Sequence, residues 1–332
     1  MKIGLTYDLR SEYLAQGYGE EETAEFDRND TIDALEDAIR SLGYQTFRIG
    51  SIKNLIHELD VGNSWDLVFN ICEGFQGTAR ESQVPALLDA FGIPYTFSDP
   101  LVLALTLDKY ACKSYLTKFG IIKQDFVLLQ KEEQIGKHKF TYPLFVKPVA
   151  EGTGKGIWAD SKIDNEAELL KQFRILAEKF KQPVLVEEFL SGREFTIAVI
   201  GNGENARILG SMEIVVKDTQ QNGIYGYETK EKCETEIIYK TANDNLVNEA
   251  EKLALQAYKA LNCRDVGRID IRASSSGTPE FIEINPIPGL HPFHSDLPMI
   301  ATRQGISYPE LINQIIQATI SRYHKLFYRK VV

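Results

Sequence analysis

Cysteine is scarce and unpaired. Four thiols in 332 residues, Cys72, Cys112, Cys233 and Cys263, stand far apart with no Cys-x-x-Cys pair. Neither a zinc ribbon nor a disulfide framework is supported, and reduced thiols are expected. No uninterrupted apolar run is long enough to span a bilayer. The N-terminus, Met1-Lys-Ile-Gly-Leu-Thr-Tyr-Asp8, leads into an acidic stretch without the charged and apolar regions of a signal peptide, so a cytoplasmic location is expected. Positive charge is also short: 37 Lys and Arg face 47 Asp and Glu, a net charge of −10. That balance argues against non-specific partnership with nucleic acid or an anionic membrane, and any phosphate ligand must find local positive groups. Repeats and low-complexity segments are absent. What remains, 43% hydrophobic and 25% charged residues, is the composition of a folded globular protein of about two ~150-residue domains by length.

Apolar runs at Lys2 to Tyr7, Thr46 to Ile49, Asp66 to Ile71 and Ile93 to Phe97 read as strands, with helical patterns between them. The clearest helix carries Ile32, Leu35, Ile39 and Leu42 on one stripe, with Asp30 available as N-cap and Gly43 as its stop. Such alternation predicts a parallel, right-handed βαβ sheet. Near Leu107 the pattern changes: a helix from Asp108 to Phe119, strands at Phe126 to Leu129 and Leu144 to Lys147, a helix from Asn165 to Lys181, and a strand at Val184 to Glu188. From Arg193 strand runs cluster without intervening helices (Phe195 to Ile200, Arg207 to Val216, Thr235 to Ile238), which predicts an antiparallel sheet. A helix near Leu246 to Leu261, strands at Gly267 to Arg272 and Pro279 to Ile284, and a helix after Ser307 complete the chain.

Three segments carry chemistry. The first is Arg268-Ile-Asp270-Ile-Arg272, a short spacer, then Glu283-Ile-Asn285-Pro286. Alternate residues of a hairpin share a side, so Asp270, Glu283 and Asn285 fall on one face, a donor set of two carboxylates and an amide that suits Mg²⁺. A solvated edge hairpin would show the same alternation; Asn285-Pro286-x-Pro288-Gly289, continuing the line into a rigid turn, favours the metal. The second is an apolar strand ending at Lys147 and running into Glu151-Gly152-Thr153-Gly154-Lys155-Gly156. Such a loop lets backbone N–H groups approach phosphate oxygens. It is not a Walker P-loop, because Pro148 stands where the first Gly belongs and Gly156 follows the Lys. Taken alone, it serves equally well as a plain turn. The third, Glu187-Glu188-Phe189-Leu190 followed by Glu194, places acids at a strand end where backbone atoms can read a base edge and a carboxylate a ribose; alone it reads more simply as a solvated turn.

Together these segments resemble the ATP-grasp superfamily, and within it the D-alanine:D-alanine ligases, over nearly the whole chain and most strongly from Lys109 onward. The resemblance implies an α/β fold, α+β in its C-terminal part: an N-terminal βαβ domain (1–107), a central ATP-grasp domain (108–190) and a C-terminal domain with the metal site (191–332). It implies an ATP-dependent carboxylate–amine ligase working through an acyl phosphate. Lys109 and Lys147, with the loop Glu151, Gly152, Thr153 and Gly154, would meet the nucleotide phosphates. Glu187, Glu188, Phe189 and Leu190 would lie at the adenine and Glu194 at the ribose. Asp270, Glu283 and Asn285 would hold two Mg²⁺ ions, with Mn²⁺ as a substitute. Lys230, in a loop from Asp218 to Lys232 expected to be mobile, would clamp the transferred phosphoryl group, while Arg268 and the Gly289 amide would stabilise the oxyanion. The partners implied are amino acids or amines, and a homodimer is compatible with the pattern.

The chain departs from the family where the substrate binds. Thr6-Tyr-Asp-Leu-Arg10 replaces the glycine-rich turn whose acid anchors the first D-alanine's ammonium, and Glu25, Asp27 or Glu73 are the candidates to replace it. Glu73 stands where the family has His, and Glu231 follows Lys230 in place of Tyr. His294 and Ser295 fall in the substrate loop. His291-x-x-His294 has metal spacing, but Pro292 and the lack of a third ligand favour a substrate-loop or merely polar role instead. The acidic, aromatic segment from Tyr13 to Glu25 reads most simply as a surface loop, or else as a cover over the acceptor. Rival classes are an ATP-grasp phosphotransferase or carboxylase, and a nucleotide-binding module without turnover.

Overall fold

The computed structural model describes residues 1–217, 226 and 236–323 and arranges them around three sheets. The first is parallel, in the order β2-β1-β3: β1 (Lys2–Thr6), β2 (Gln45–Gly50) and β3 (Leu67–Asn70). Short α1 (Arg10–Ala15) and α2 (Asn29–Ser41) lead from β1 to β2, and α3 (Ile52–Asp60) leads on to β3. The α2 stripe Ile32, Leu35 and Ile39 is buried as its spacing predicts, and Gly43 turns away at φ +86°. Asp30 is not the N-cap: Arg28 holds that place, and Asp30 sits in the first turn, where its negative charge favours the helix N-terminus. Ile93–Phe97 forms no full strand. It makes one bridge, Val68 to Tyr95, because Pro94 lacks an N–H donor and Phe97 turns off at φ +70°.

Helices α4 (Gln83–Ala90), α5 (Pro100–Leu107) and α6 (Lys109–Thr117) follow. The second sheet is antiparallel, β4-β7-β5-β6, from β4 (Phe126–Leu129), β5 (Leu144–Pro148), β6 (Lys162–Ile163) and β7 (Val184–Glu188). Helix α7 (Glu166–Phe180), capped by Asn165, packs Leu169, Phe173 and Leu176 onto Val146 and Val186, a core separate from the others. The third sheet is also antiparallel, β10-β9-β8-β11-β12. Its strands are β8 (Glu194–Ile200), β9 (Arg207–Val216), β10 (Ile237–Lys240), β11 (Val266–Ala273) and β12 (Pro279–Asn285). Helices α8 (Asn245–Ala260), α9 (Asp296–Arg303) and α10 (Tyr308–Arg322) flank it.

The first and third sheets share one core: Ile3, Leu5, Ile39 and Phe69 pack in the same cluster as Ala198, Met212, Ile300 and Ile315. Asp265 reinforces the join. Fully buried, its carboxylate accepts the Phe97 N–H (2.8 Å), the Thr319 hydroxyl (2.7 Å) and two guanidinium N–H groups of Arg322 (2.6 and 2.8 Å). Among the described residues no helix is long and apolar enough to cross a membrane.

Candidate active site

The β11–β12 register places Arg268 opposite Asn285 and Asp270 opposite Glu283. Cross-strand partners share a side, so all four project from one face, and the pairing shifts just after Asp270. Arg268 Nη1 grips both oxygens of Asp270 (2.6 and 2.7 Å) and lies 3.4 Å from Asp296. Lys109, first residue of α6, stands 3.3 Å from Glu283 Oε2, and its ammonium also donates to the Glu151 carbonyl. The donor set Asp270, Glu283 and Asn285 is all oxygen, as a hard cation requires, and the Asn285 amide nitrogen is buried without a hydrogen-bond partner, so no internal bond fixes that amide. No three His, Cys, Asp or Glu residues gather into a metal cage among the described residues. These donors therefore fit an ion whose remaining ligands come from substrate and water.

Two cavities meet at this face. The smaller, about 70 Å³, lies between the second and third sheets against Lys147, Gly154, Phe189, Leu190, Glu194 and Asp270. Glu187 takes part differently from the expectation of a base contact: its carboxylate lies between Lys113 and Lys147, 2.7 Å from each. Burial alone would raise its pKa, but the two ammonium groups bring it below the ordinary range. Lys147 is raised despite burial because Glu187 and Glu283 favour its charge, whereas burial dominates at Lys113 and lowers it. Sequence reading missed Lys113; its signal was the i,i+4 spacing from Lys109, which sets both on one helix face. It also missed Phe145 and Arg272. Phe145 and Phe189 lie 6.4 Å apart by ring centroid on the cavity wall, and Arg272 pairs with Glu194 at 3.2 Å.

The larger cavity, about 650 Å³, opens between the first and third sheets, and Lys109, Glu151 and Glu283 line both spaces. Gly152, Thr153, Arg268, Asn285 and Gly289 line it, together with Glu25, Glu73, His294 and Ser295. Lys230 and Glu231 lie outside the described residues, as does the rest of the Asp218 to Lys232 loop expected to be mobile, apart from Gly226.

The acidic N-terminal segment is docked rather than a free surface loop. Glu25 bonds Arg80 through both oxygens (3.0 Å each) and Lys155 (2.9 Å), and Arg80 reaches the Ala150 carbonyl (3.1 Å), so the segment rests on the glycine-rich loop. A Cβ on Gly152 would collide with the Glu25 carboxylate, and Thr153 and Gly154 take φ of +52° and +73° in the same turn. Burial would raise the Glu25 carboxyl, yet Arg80 and Lys155 hold it below the ordinary range.

Three other acids of this cavity, Asp27, Glu73 and Glu81, make no ion pair among the described residues. Asp27 is pushed up to about 8 by burial and the nearby Asp8, and Glu81 up to about 7 by burial despite Arg80. Glu73 is raised by burial and then by Glu81 and Glu25. All three face the large cavity.

The family described as D-ala D-ala ligase C-terminus matches residues 115–317. A D-alanine–D-alanine ligase of Acetivibrio thermocellus is 33% identical over 78% of this chain and 69% of its own, and one of Marinomonas sp. is 32% identical over 85% and 88%. An uncharacterized protein of Sinorhizobium fredii is 30% identical over 88% of both chains. Among solved structures, D-alanine–D-alanine ligase from Bacillus anthracis superposes with a TM-score of 0.74 at 22% identity, covering 98% of this chain and 99% of that one. VanG D-Ala:D-Ser ligase from Enterococcus faecalis gives 0.72 at 23% identity, covering 96% and 99%.

Proposed function

Because this chain belongs to the D-alanine–D-alanine ligase family, we propose that it is an ATP-dependent ligase joining a carboxylate to an amine with release of ADP and phosphate. The observation that carries this reading is the seam of Lys109, Glu151 and Glu283, where a narrow cleft lined by Lys147, Phe189 and Glu194 opens into a cavity of about 650 Å³. A substrate carboxylate oxygen attacks the γ-phosphorus, the bond to the β–γ bridging oxygen breaks, and ADP leaves. The amine nitrogen then attacks the acyl carbon, phosphate departs from the tetrahedral intermediate, and the amine proton is lost.

In this reading Phe145 and Phe189 hold the base and Glu194 the ribose. Lys109, Lys147 and the amides from Gly152 to Gly154 hold the phosphates. Arg268 and the Gly289 amide meet the oxyanion, preorganised charge of the kind that carries most of such a barrier. Asp270, Glu283 and Asn285 would hold Mg²⁺, which when bound offsets the charge of the phosphate oxygens. The reaction belongs in the cytoplasm, where ATP and reduced thiols occur together; the described cysteines, Cys72, Cys112 and Cys263, are free and buried.

A second reading concerns the acceptor, and the acids Asp27, Glu73 and Glu81 support it. With Glu25 already paired to Arg80 and Lys155, these three are carboxyls that burial holds towards the neutral form and that no side chain among the described residues pairs within 4 Å. Ionising them unpaired would cost several kcal/mol, which a substrate that brings more than one ammonium offsets by supplying the missing partners. The test is phosphate release with Mg²⁺ and ATP over a panel of D- and L-amino acids and diamines. We expect amino-acid-dependent release, fastest with an amine-rich acceptor. Release that no amino acid or amine stimulates would overturn the ligase reading; D-alanine as the best acceptor would overturn the second reading alone.

A further inference from the structure

The loop from Gly289 to Ser295 carries three groups assigned above to the reaction, and it has little regular structure of its own. Its shape is set by His291. The imidazole Nδ1 accepts the main-chain N–H groups of Phe293 and of His294, each at 3.2 Å. Those two bonds require Nδ1 to be unprotonated, which leaves the ring proton on Nε2, 3.3 Å from the Asp30 carboxylate in the first turn of α2. The backbone closes the same circle: the His291 N–H donates to Ser295 Oγ (2.9 Å) and the Ser295 N–H to the His291 carbonyl (3.1 Å). A Cβ on Gly289 would come within 2.8 Å of Ser295 Oγ, so the absence of a side chain at Gly289 leaves the room that the serine hydroxyl uses. Tyr308 of α10 anchors the near end by donating to the Leu290 carbonyl (2.9 Å).

Resting on the ligase reading, we propose that His291 is a positioning residue: held as the Nε2–H tautomer between Asp30 and the Phe293 and His294 amides, it keeps Gly289, His294 and Ser295 in register for the acceptor. Protonation would turn Nδ1 from acceptor to donor against two N–H groups and open the loop. The charged groups facing it are Arg28 and Asp30 from the start of α2 and His294 from its own loop, 4.5 Å ring to ring, while Asp296 is turned towards Arg268. The ring's own pKa lies below the ordinary histidine value because burial outweighs the attraction of Asp30.

The experiment compares His291→Ala with His291→Asn in the full-length enzyme, using the best acceptor of the panel. Asparagine keeps an acceptor oxygen able to take amides two and three residues on, but it cannot titrate. We expect His291→Ala to raise the acceptor KM tenfold or more with the ATP KM within about twofold, and His291→Asn to restore it to within about threefold. The cavity acids titrate in both proteins, so the ratio of wild-type to His291→Asn acceptor KM isolates the histidine and should rise as pH falls below about 6.5. An unchanged His291→Ala, an asparagine variant as poor as the alanine one, or a flat ratio overturns the proposal. Should His291→Ala fail to fold, the asparagine ratio decides alone. A wild type that turns over no acceptor overturns the ligase reading and this inference with it.

Discussion

The two cavities share three residues and treat charge in opposite ways. On the nucleotide side every buried acid has a partner: Glu187 has two lysines, Glu194 has Arg272, and Asp270 has Arg268. On the acceptor side burial raises Asp27, Glu73 and Glu81, helped by Asp8 at Asp27, by Glu81 and Glu25 at Glu73, and by Glu25 at Glu81. A compensated wall is stable empty and asks no charge of its ligand. An uncompensated wall is unfavourable empty, and its deficit describes what the ligand must bring. The chain is accordingly conventional where ATP would lie and particular where its acceptor would lie.

The largest expected effect removes the joint between the cavities. Glu283→Gln or Asp270→Asn should abolish turnover, read as Mg²⁺-dependent ADP release, because each deletes charge that balances an ion; normal turnover in both variants would break the metal assignment. Lys113→Met tests whether the nucleotide wall needs its compensation. It leaves Glu187 with half its positive partners, and denaturant unfolding should show a loss of about 3–5 kcal/mol, as for other broken buried pairs. Arg268→Ala should keep ATP binding and lose about 10²- to 10³-fold in kcat, the usual cost of one preorganised oxyanion donor.

On the other wall, Glu73→Gln should raise the KM of the preferred amine about tenfold and leave that of ATP unchanged; equal effects on both would erase the distinction drawn between the cavities. The smallest effect is a pH slope. Asp27 binds its proton more tightly folded than unfolded, so between about pH 4 and 8 the folded state carries more protons, and the stability of the ligand-free enzyme falls as pH rises through that window. Asp27→Asn should flatten the slope in urea titrations taken at several pH values.

The β11–β12 face was legible in the sequence because its residues sit in regular strands, where period-two spacing converts position into side. Arg268, Asp270, Glu283 and Asn285 were placed on one face by alternation, and the observed register agrees. Glu187 was found but its ion pair with Lys113 was not, because Lys113 approaches from another element and the strand pattern around Glu187 carries no mark of it. Arg80 was missed for the same reason: its partners are 55 residues before it, at Glu25, and 70 after it, at Ala150. Asp30 was assigned to capping, yet it meets His291 more than two hundred residues away. Local periodicity identifies the face a residue lies on; contacts between separate elements decide what it does there.

The shared core of the first and third sheets has a consequence for how the molecule comes apart. Ile3, Leu5 and Phe69 are buried in company with Ile300 and Ile315, and Asp265 ties Phe97 to Arg322, so neither end of the chain has a finished interior without the other. The middle sheet and α7 close their own. A chain with three sheets is thus expected to melt as two cooperative blocks, one of them made from sequence at both ends. The middle block is the portable part: it could be grafted between relatives as an independent cassette, whereas the two ends must be exchanged together or not at all.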